Sequence, residues 1–277
     1  MRLFFGAMND PSRDILEEVR SIASYGFDYI DLTVEGPQAL ATNIAEKLSA
    51  IRDELSRYDL KIVGHTAWFL ELAHPYGRVR KAFVEEALEA LDVLVKLGVE
   101  KVTFHPFLLT SSLYRKQPYR SKLLEALIES LREVNRRASD NGVNVMVENM
   151  DGGRMWRVEE YVRMVDEAGV GFHLDVAHAN LDVEFLDLPV FLDMFKPGDK
   201  LLHIHISDNI GGSAARGWDL HLPIGVGSIN WDEVFKVLRS YGYSGTITLE
   251  VFSRDRDYLK MSLDKVRSLA SRIGWII

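Results

Sequence analysis

Short apolar runs rich in β-branched and aromatic residues alternate along the chain with longer stretches whose apolar positions recur every three or four residues, eight times over. The short runs fall at residues 2–8, 27–33, 60–65, 99–105, 143–149, 170–175, 200–207 and 246–251. Several are apolar throughout rather than alternating, as strands covered on both faces require. Between them, residues 78–97 place Phe83, Ala87, Leu88, Leu91, Leu94 and Val95 on one helical stripe, and residues 12–25, 122–138 and 232–241 repeat the pattern. Asp10, ahead of Pro11, is expected to cap the first helix, and Gly98, Gly142 and Gly242 stand where helices should stop.

Strand, helix, strand at this period implies right-handed parallel crossovers. Eight units form either an open doubly wound sheet or a closed barrel. No glycine-rich phosphate loop follows the first run, which favours an α/β fold of the second kind: a single (β/α)8 TIM barrel over residues 1–277, with its active site at the C-terminal ends of the strands.

Composition narrows the chemistry. With no cysteine, disulfides and thiolate metal sites are excluded, so any cation must sit on nitrogen and oxygen. A net charge of −8 argues against a uniformly basic nucleic-acid surface, although a metal cluster adds positive charge that this count ignores. The apolar run at residues 2–8 is too short for a signal peptide or membrane span, so a cytoplasmic protein with no membrane association is expected.

The ends of the runs carry the chemical signal. Runs three to eight end at or near His65, His105, Glu148, Asp175, His205 and Glu250, all delivered to one end of the barrel. His178 follows Asp175 by three residues, and Asp219-Leu220-His221 offers two more ligand types in the long loop after run seven. Singly, each has a plainer reading. A strand-end histidine is more often a hydrogen-bonded rim residue, and a buried glutamate such as Glu148 pairs as readily with an arginine. As a set they argue for a cation, because so many acids and imidazoles are costly to gather without one. His173 and His203 lie one layer deeper and are expected to be hydrogen-bonded interior residues, and His74 a loop residue.

Gly64-His65-Thr66, Leu72-Ala73-His74-Pro75, Phe104-His105-Pro106, Val147-Glu148-Asn149, Leu174-Asp175-Val176-Ala177-His178, His205-Ile206-Ser207-Asp208, Asp219-Leu220-His221 with Gly225-Val226-Gly227, and Leu249-Glu250 together carry a family likeness. Over nearly its whole length the chain resembles the xylose isomerase-like barrels (AP endonuclease family 2), which include endonuclease IV, the abasic-site DNA endonuclease. That resemblance implies up to three Zn2+ ions, or Mn2+: one on His65, His105 and Glu148, a second on Glu148, Asp175, His205 and Glu250, and a third on His178, Asp219 and His221. Sugar isomerases and epimerases of the same superfamily resemble only the subset Glu148, Asp175, His205 and Glu250, and use one manganese, cobalt or magnesium ion.

Two functions follow as expectations. The first is an endonuclease IV-type hydrolase of DNA repair, in which metal-activated hydroxide attacks a phosphodiester of abasic-site DNA while Glu148 and Glu250 orient metals and nucleophile. Basic and aromatic loop residues support it, with Trp68, Arg154, Trp156, Arg216 and Trp218 as expected substrate-binding groups, although ordinary solvated loops would look the same. The alternative is a divalent-metal isomerase or epimerase acting on a sugar or phosphorylated sugar, with Glu148 and Glu250 exchanging a proton at carbon. Glu35, acidic in the loop after run two, fits this second expectation. A non-catalytic, metal-stabilised sugar or nucleotide binder is the third reading, and has least need of so many ligands.

Overall fold

In the computed structural model, residues 1–108, 114, 116–150, 156–181, 188–212 and 219–277 are described. The eight apolar runs form parallel strands β1 (Leu3–Met8), β2 (Tyr29–Val34), β3 (Lys61–Thr66), β4 (Lys101–Phe104), β5 (Asn144–Glu148), β6 (Gly171–Asp175), β7 (Leu201–Ile206) and β8 (Gly245–Leu249). They close on themselves in sequence order, with β1 pairing both β2 and β8. The chain is a single (β/α)8 TIM barrel.

The helices are α1 (Ile15–Ser24), α2 (Ala41–Glu46), α3 (Leu48–Arg57), α4 (Gly77–Leu97), α5 (Tyr119–Ser139), α6 (Val158–Ala168), α7 (Val176–Ala179), α8 (Leu188–Met194), α9 (Trp231–Ser240) and α10 (Asp257–Ile273). Their apolar stripes face the barrel wall: Val84, Ala87, Leu91 and Leu94 of α4 and Leu259, Leu263, Val266 and Ala270 of α10 are buried at three- and four-residue spacing. Gly98 ends α4 in the left-handed conformation at φ 85°, as expected.

The start of α1 differs from expectation. Asp14, not Asp10, caps it, accepting hydrogen bonds from the amides of Leu16 and Glu17. Asp10 instead accepts from the Ser12 amide and hydroxyl, holding a turn that delays the helix.

Inside the barrel, strand register stacks polar residues into layers. Glu148 lies beside His173, Asp175 beside His205, and His205 beside Thr248. Wall closure also demands a missing side chain at Gly6, where a Cβ would come within 2.1 Å of the Tyr29 ring. No helix among the described residues is long and apolar enough to cross a membrane.

Candidate metal centre

Six of the expected ligands sit at or just beyond strand ends. His65 belongs to β3, Glu148 and Asp175 close β5 and β6, His205 belongs to β7, and His105 and Glu250 follow β4 and β8 by one residue. Because the strands are parallel, all six arrive at one end of the barrel. His178 comes from α7, whose start is fixed by the Asp175 side chain accepting the His178 amide.

Asp219 and His221 are carried by the loop between β7 and α9, and buried Asp208 organises that loop. Its carboxylate accepts the amides of Asn209, Gly225 and Ile229 and the indole N–H of Trp231. Its backbone forms a two-way bridge with Leu222.

The side chains converge in three groups. Glu148, Asp175, His205 and Glu250 each bring one ligand atom to within 4.8 Å of the others, and so do His65, His105 and Glu148, and His178, Asp219 and His221. Glu148 joins two groups: its Oε2 lies 3.3 Å from His65 Nε2, 3.2 Å from His105 Nε2 and 3.2 Å from His173 Nδ1, and its Oε1 lies 3.3 Å from His178 Nδ1. Glu250 Oε2 lies 3.2 Å from His205 Nδ1, and Asp219 Oδ2 lies 3.2 Å from His178 Nε2.

Burial sets the electrostatics. It opposes charge on Glu148, but His173 and His105 hold the carboxyl well below its usual range. At Asp175 burial wins and pushes the pKa up to about 7. His221 is raised to about 9, because Glu250 and Asp219 outweigh its burial. His178 is raised well above normal in the same way by Asp175 and Asp219. The raised imidazoles of His178, His205 and His221 therefore offset part of the carboxylate charge, while burial lowers His105 and His173.

The residues fit a divalent cation. Asp175 Oδ2 is buried without a hydrogen-bond partner, and Glu148 Oε1 has beside it only a His178 Nδ1 that already serves the Asn149 carbonyl; orphaned buried oxygens of this kind are costly unless something binds them. Three carboxylates and one imidazole in the four-residue group form a hard donor set suited to Mn2+ or Mg2+.

Above the ligands opens a pocket of about 770 Å³, lined among others by Asp10, Glu35, Trp68, Phe107, Phe252 and Arg254. Glu35 is raised by burial despite nearby His65. Trp68 is 47% exposed at the pocket and packs edge-on to Phe107. Trp156 does not reach it: fully buried, it donates its indole N–H to the Pro106 carbonyl and lies under the Arg120 guanidinium, so the expected substrate contact is a core anchor. Arg154, Arg216 and Trp218 lie outside the described residues.

As expected, His173 and His203 are interior and hydrogen-bonded, to Thr103 and to Thr246 and Asp31. Asp31 itself was missed. Its signal was a carboxylate in the middle of the second apolar run, which forms β2.

A closed (β/α)8 barrel with a buried carboxylate–imidazole site at its C-terminal end defines a class of barrel built around a potential cation centre. The chain belongs to the xylose isomerase-like TIM barrel family, whose model matches residues 19–273. It is 30% identical to an uncharacterized protein of Methanocaldococcus jannaschii over 91% of this chain and 87% of that protein. It is 26% identical to a ketose 3-epimerase of Arthrobacter globiformis over 85% of this chain and 76% of that protein. Among solved structures, the crystal structure of a D-tagatose 3-epimerase-like protein superposes with a TM-score of 0.81 at 28% identity, covering 98% of each chain.

These likenesses overturn the expectation of an endonuclease IV-type hydrolase acting on abasic-site DNA. A probable endonuclease 4 of Campylobacter concisus is 25% identical, but over only 43% of this chain and 42% of its own. The sugar epimerases match along most of the chain. The hydrolase expectation leaned on the outer ligands His65, His105, Asp219 and His221; the inner four suit either reaction, because a cation that acidifies a water also acidifies a carbon next to a carbonyl.

Proposed function

We propose that this protein is a divalent-metal-dependent sugar epimerase that inverts C3 of a ketose. One observation carries the reading: two carboxylates, Glu148 and Glu250, share a buried four-ligand group beneath a pocket large enough for a sugar. The epimerase likenesses support it.

A divalent cation on Glu148, Asp175, His205 and Glu250, Mn2+ by donor hardness, would polarise the ketose carbonyl and neighbouring hydroxyl oxygen. The histidine-richer groups at His65, His105 and Glu148 and at His178, Asp219 and His221 suit Zn2+ better and offer further positions.

One carboxylate, Glu148 or Glu250, takes the proton from C3, and the other returns a proton to the opposite face, so configuration inverts while composition does not change. Neighbouring imidazoles hold each below its usual pKa against burial, which suits the carboxylate that accepts; the one that donates enters the turnover carrying a proton and leaves it ionised, and exchange with solvent resets the pair. Trp68, Phe107 and Phe252 offer apolar surface to the sugar's C–H faces, while Asp10 and Glu35 accept its hydroxyls. Incubating Mn2+-loaded protein with a panel of ketoses tests this: C3 epimers are expected, and a panel returned unchanged contradicts it.

A further inference from the structure

Beneath the four-ligand group lies a second polar layer that the proposed reaction does not use. Asp31, at the centre of β2, is 0% exposed. Its Oδ2 is 2.8 Å from His205 Nε2, 3.0 Å from His203 Nε2 and 2.8 Å from Thr248 Oγ1. Three donors on Oδ2 favour the charged carboxylate, while Oδ1 is buried without a partner.

His203 Nδ1 is 2.7 Å from Thr246 Oγ1, which also receives Lys101 Nζ at 2.6 Å. The Thr246 hydroxyl proton therefore goes to His203 Nδ1, and His203 presents Nε2–H to Asp31. Thr248 spends its only proton on Asp31, so the Tyr29 hydroxyl, 2.8 Å away, donates to Thr248.

His205 differs in having a carboxylate on each side, so Nε2–H donates to Asp31 and the proton that Nδ1 would give Glu250 is the one a cation displaces. His205 Nδ1 lies 3.2 Å from Glu250 Oε2, inside the four-ligand group. His173, His203 and His205 also bring one nitrogen each to within 4.8 Å. Asp31 already engages the Nε2 protons of two of them, so this inner group is the support under the site rather than another cation position.

We infer that Asp31 is a positioning residue for the metal centre: by accepting His205 Nε2–H, it fixes the tautomer and ring orientation that aim the Nδ1 lone pair at the cation. This rests on the four-ligand reading above. A carboxylate behind a metal-binding histidine typically strengthens binding by about 10- to 100-fold.

The test is calorimetric titration of the metal-free protein with Mn2+. Asp31→Asn is expected to weaken binding by about 10- to 100-fold, because its amide N–H donates to His205 Nε2 and drives the proton onto Nδ1. Thr248→Val removes a different donor from the same Asp31 oxygen while sparing both His205 hydrogen bonds, and should leave the affinity near wild type. Equal affinity in wild type and Asp31→Asn overturns the inference, and so does an equal loss in both variants. If the wild type itself takes up no Mn2+, the four-ligand reading fails and the role of Asp31 falls with it. Should Asp31→Asn not fold, 15N spectra of zinc-loaded wild-type protein decide the matter: protonated Nε2 with metal-bound Nδ1 on His205 is expected, and the reverse overturns it.

Discussion

At the scale of single residues, the proposed chemistry concentrates on Glu250. It is buried, 3.2 Å from His205 Nδ1, and lines the pocket, so it borders both the proposed cation position and the space proposed for the sugar. Glu250→Gln keeps the shape and removes the base, and kcat for epimerisation should fall by about 10³-fold, in the range general acid–base groups contribute. Steady-state assays alongside thermal melts check this, and a variant that folds and keeps kcat within tenfold contradicts the role. Six of the expected ligands, His65, His105, Glu148, Asp175, His205 and Glu250, stood out as candidates because they lie at or near the C-terminal ends of apolar runs, where a barrel exposes side chains to one site. Asp31 and Lys101 interrupt such runs too, but away from that end, and in the sequence they resemble ordinary wall residues. Their role depends on cross-barrel neighbours such as His203 and Thr246, which no local pattern reveals.

At the scale of elements, the described residues of the loop from β7 to α9, 207–212 and 219–230, depend on Asp208. Asp208 gathers the loop's amides, and Gly227 passes so close that a Cβ would lie 2.2 Å from the Asn209 carbonyl oxygen and 2.3 Å from Asp208 Oδ1. Neither neighbour can move without breaking the loop's hydrogen bonds. Gly227→Ala should therefore destabilise the protein by about 1–3 kcal/mol, the usual cost of overpacking, and loosen the segment presenting Asp219 and His221. Urea unfolding measures the first effect, and a wild-type midpoint would contradict it. Strand and helix order were readable from periodicity, whereas the cap of α1 was not. Asp10 and Asp14 are both good caps by type, and only the turn that Asp10 makes with Ser12 leaves the helix start to Asp14.

At the scale of the whole molecule, Lys101 ties strands across the barrel: from β4 its ammonium donates to the Leu202 carbonyl on β7 and to Thr246 on β8. Burial lowers its pKa to about 8, against about 10.4 for an unfolded lysine. Between those values the unfolded chain holds a proton that the folded chain has shed, so this group's contribution to stability rises with pH and is lost as pH falls through about 8. Urea unfolding at pH 7.5 and 9.5 should show wild type gaining about 1–2 kcal/mol relative to Lys101→Met across that interval, and parallel behaviour of the two proteins would contradict it.

The barrel itself was legible in the alternation of runs, while the reaction was not. Glu148, Asp175, His205 and Glu250 form one set that suits both hydrolysis and proton transfer, and likeness along the whole chain separated the two. The most direct test of the proposed reaction is solvent exchange at carbon. With Mn2+-loaded protein and a ketose in D2O, NMR should show deuterium entering at C3 as the epimer forms. A protein that binds Mn2+ yet leaves C3 of every ketose tested fully protonated would contradict the account.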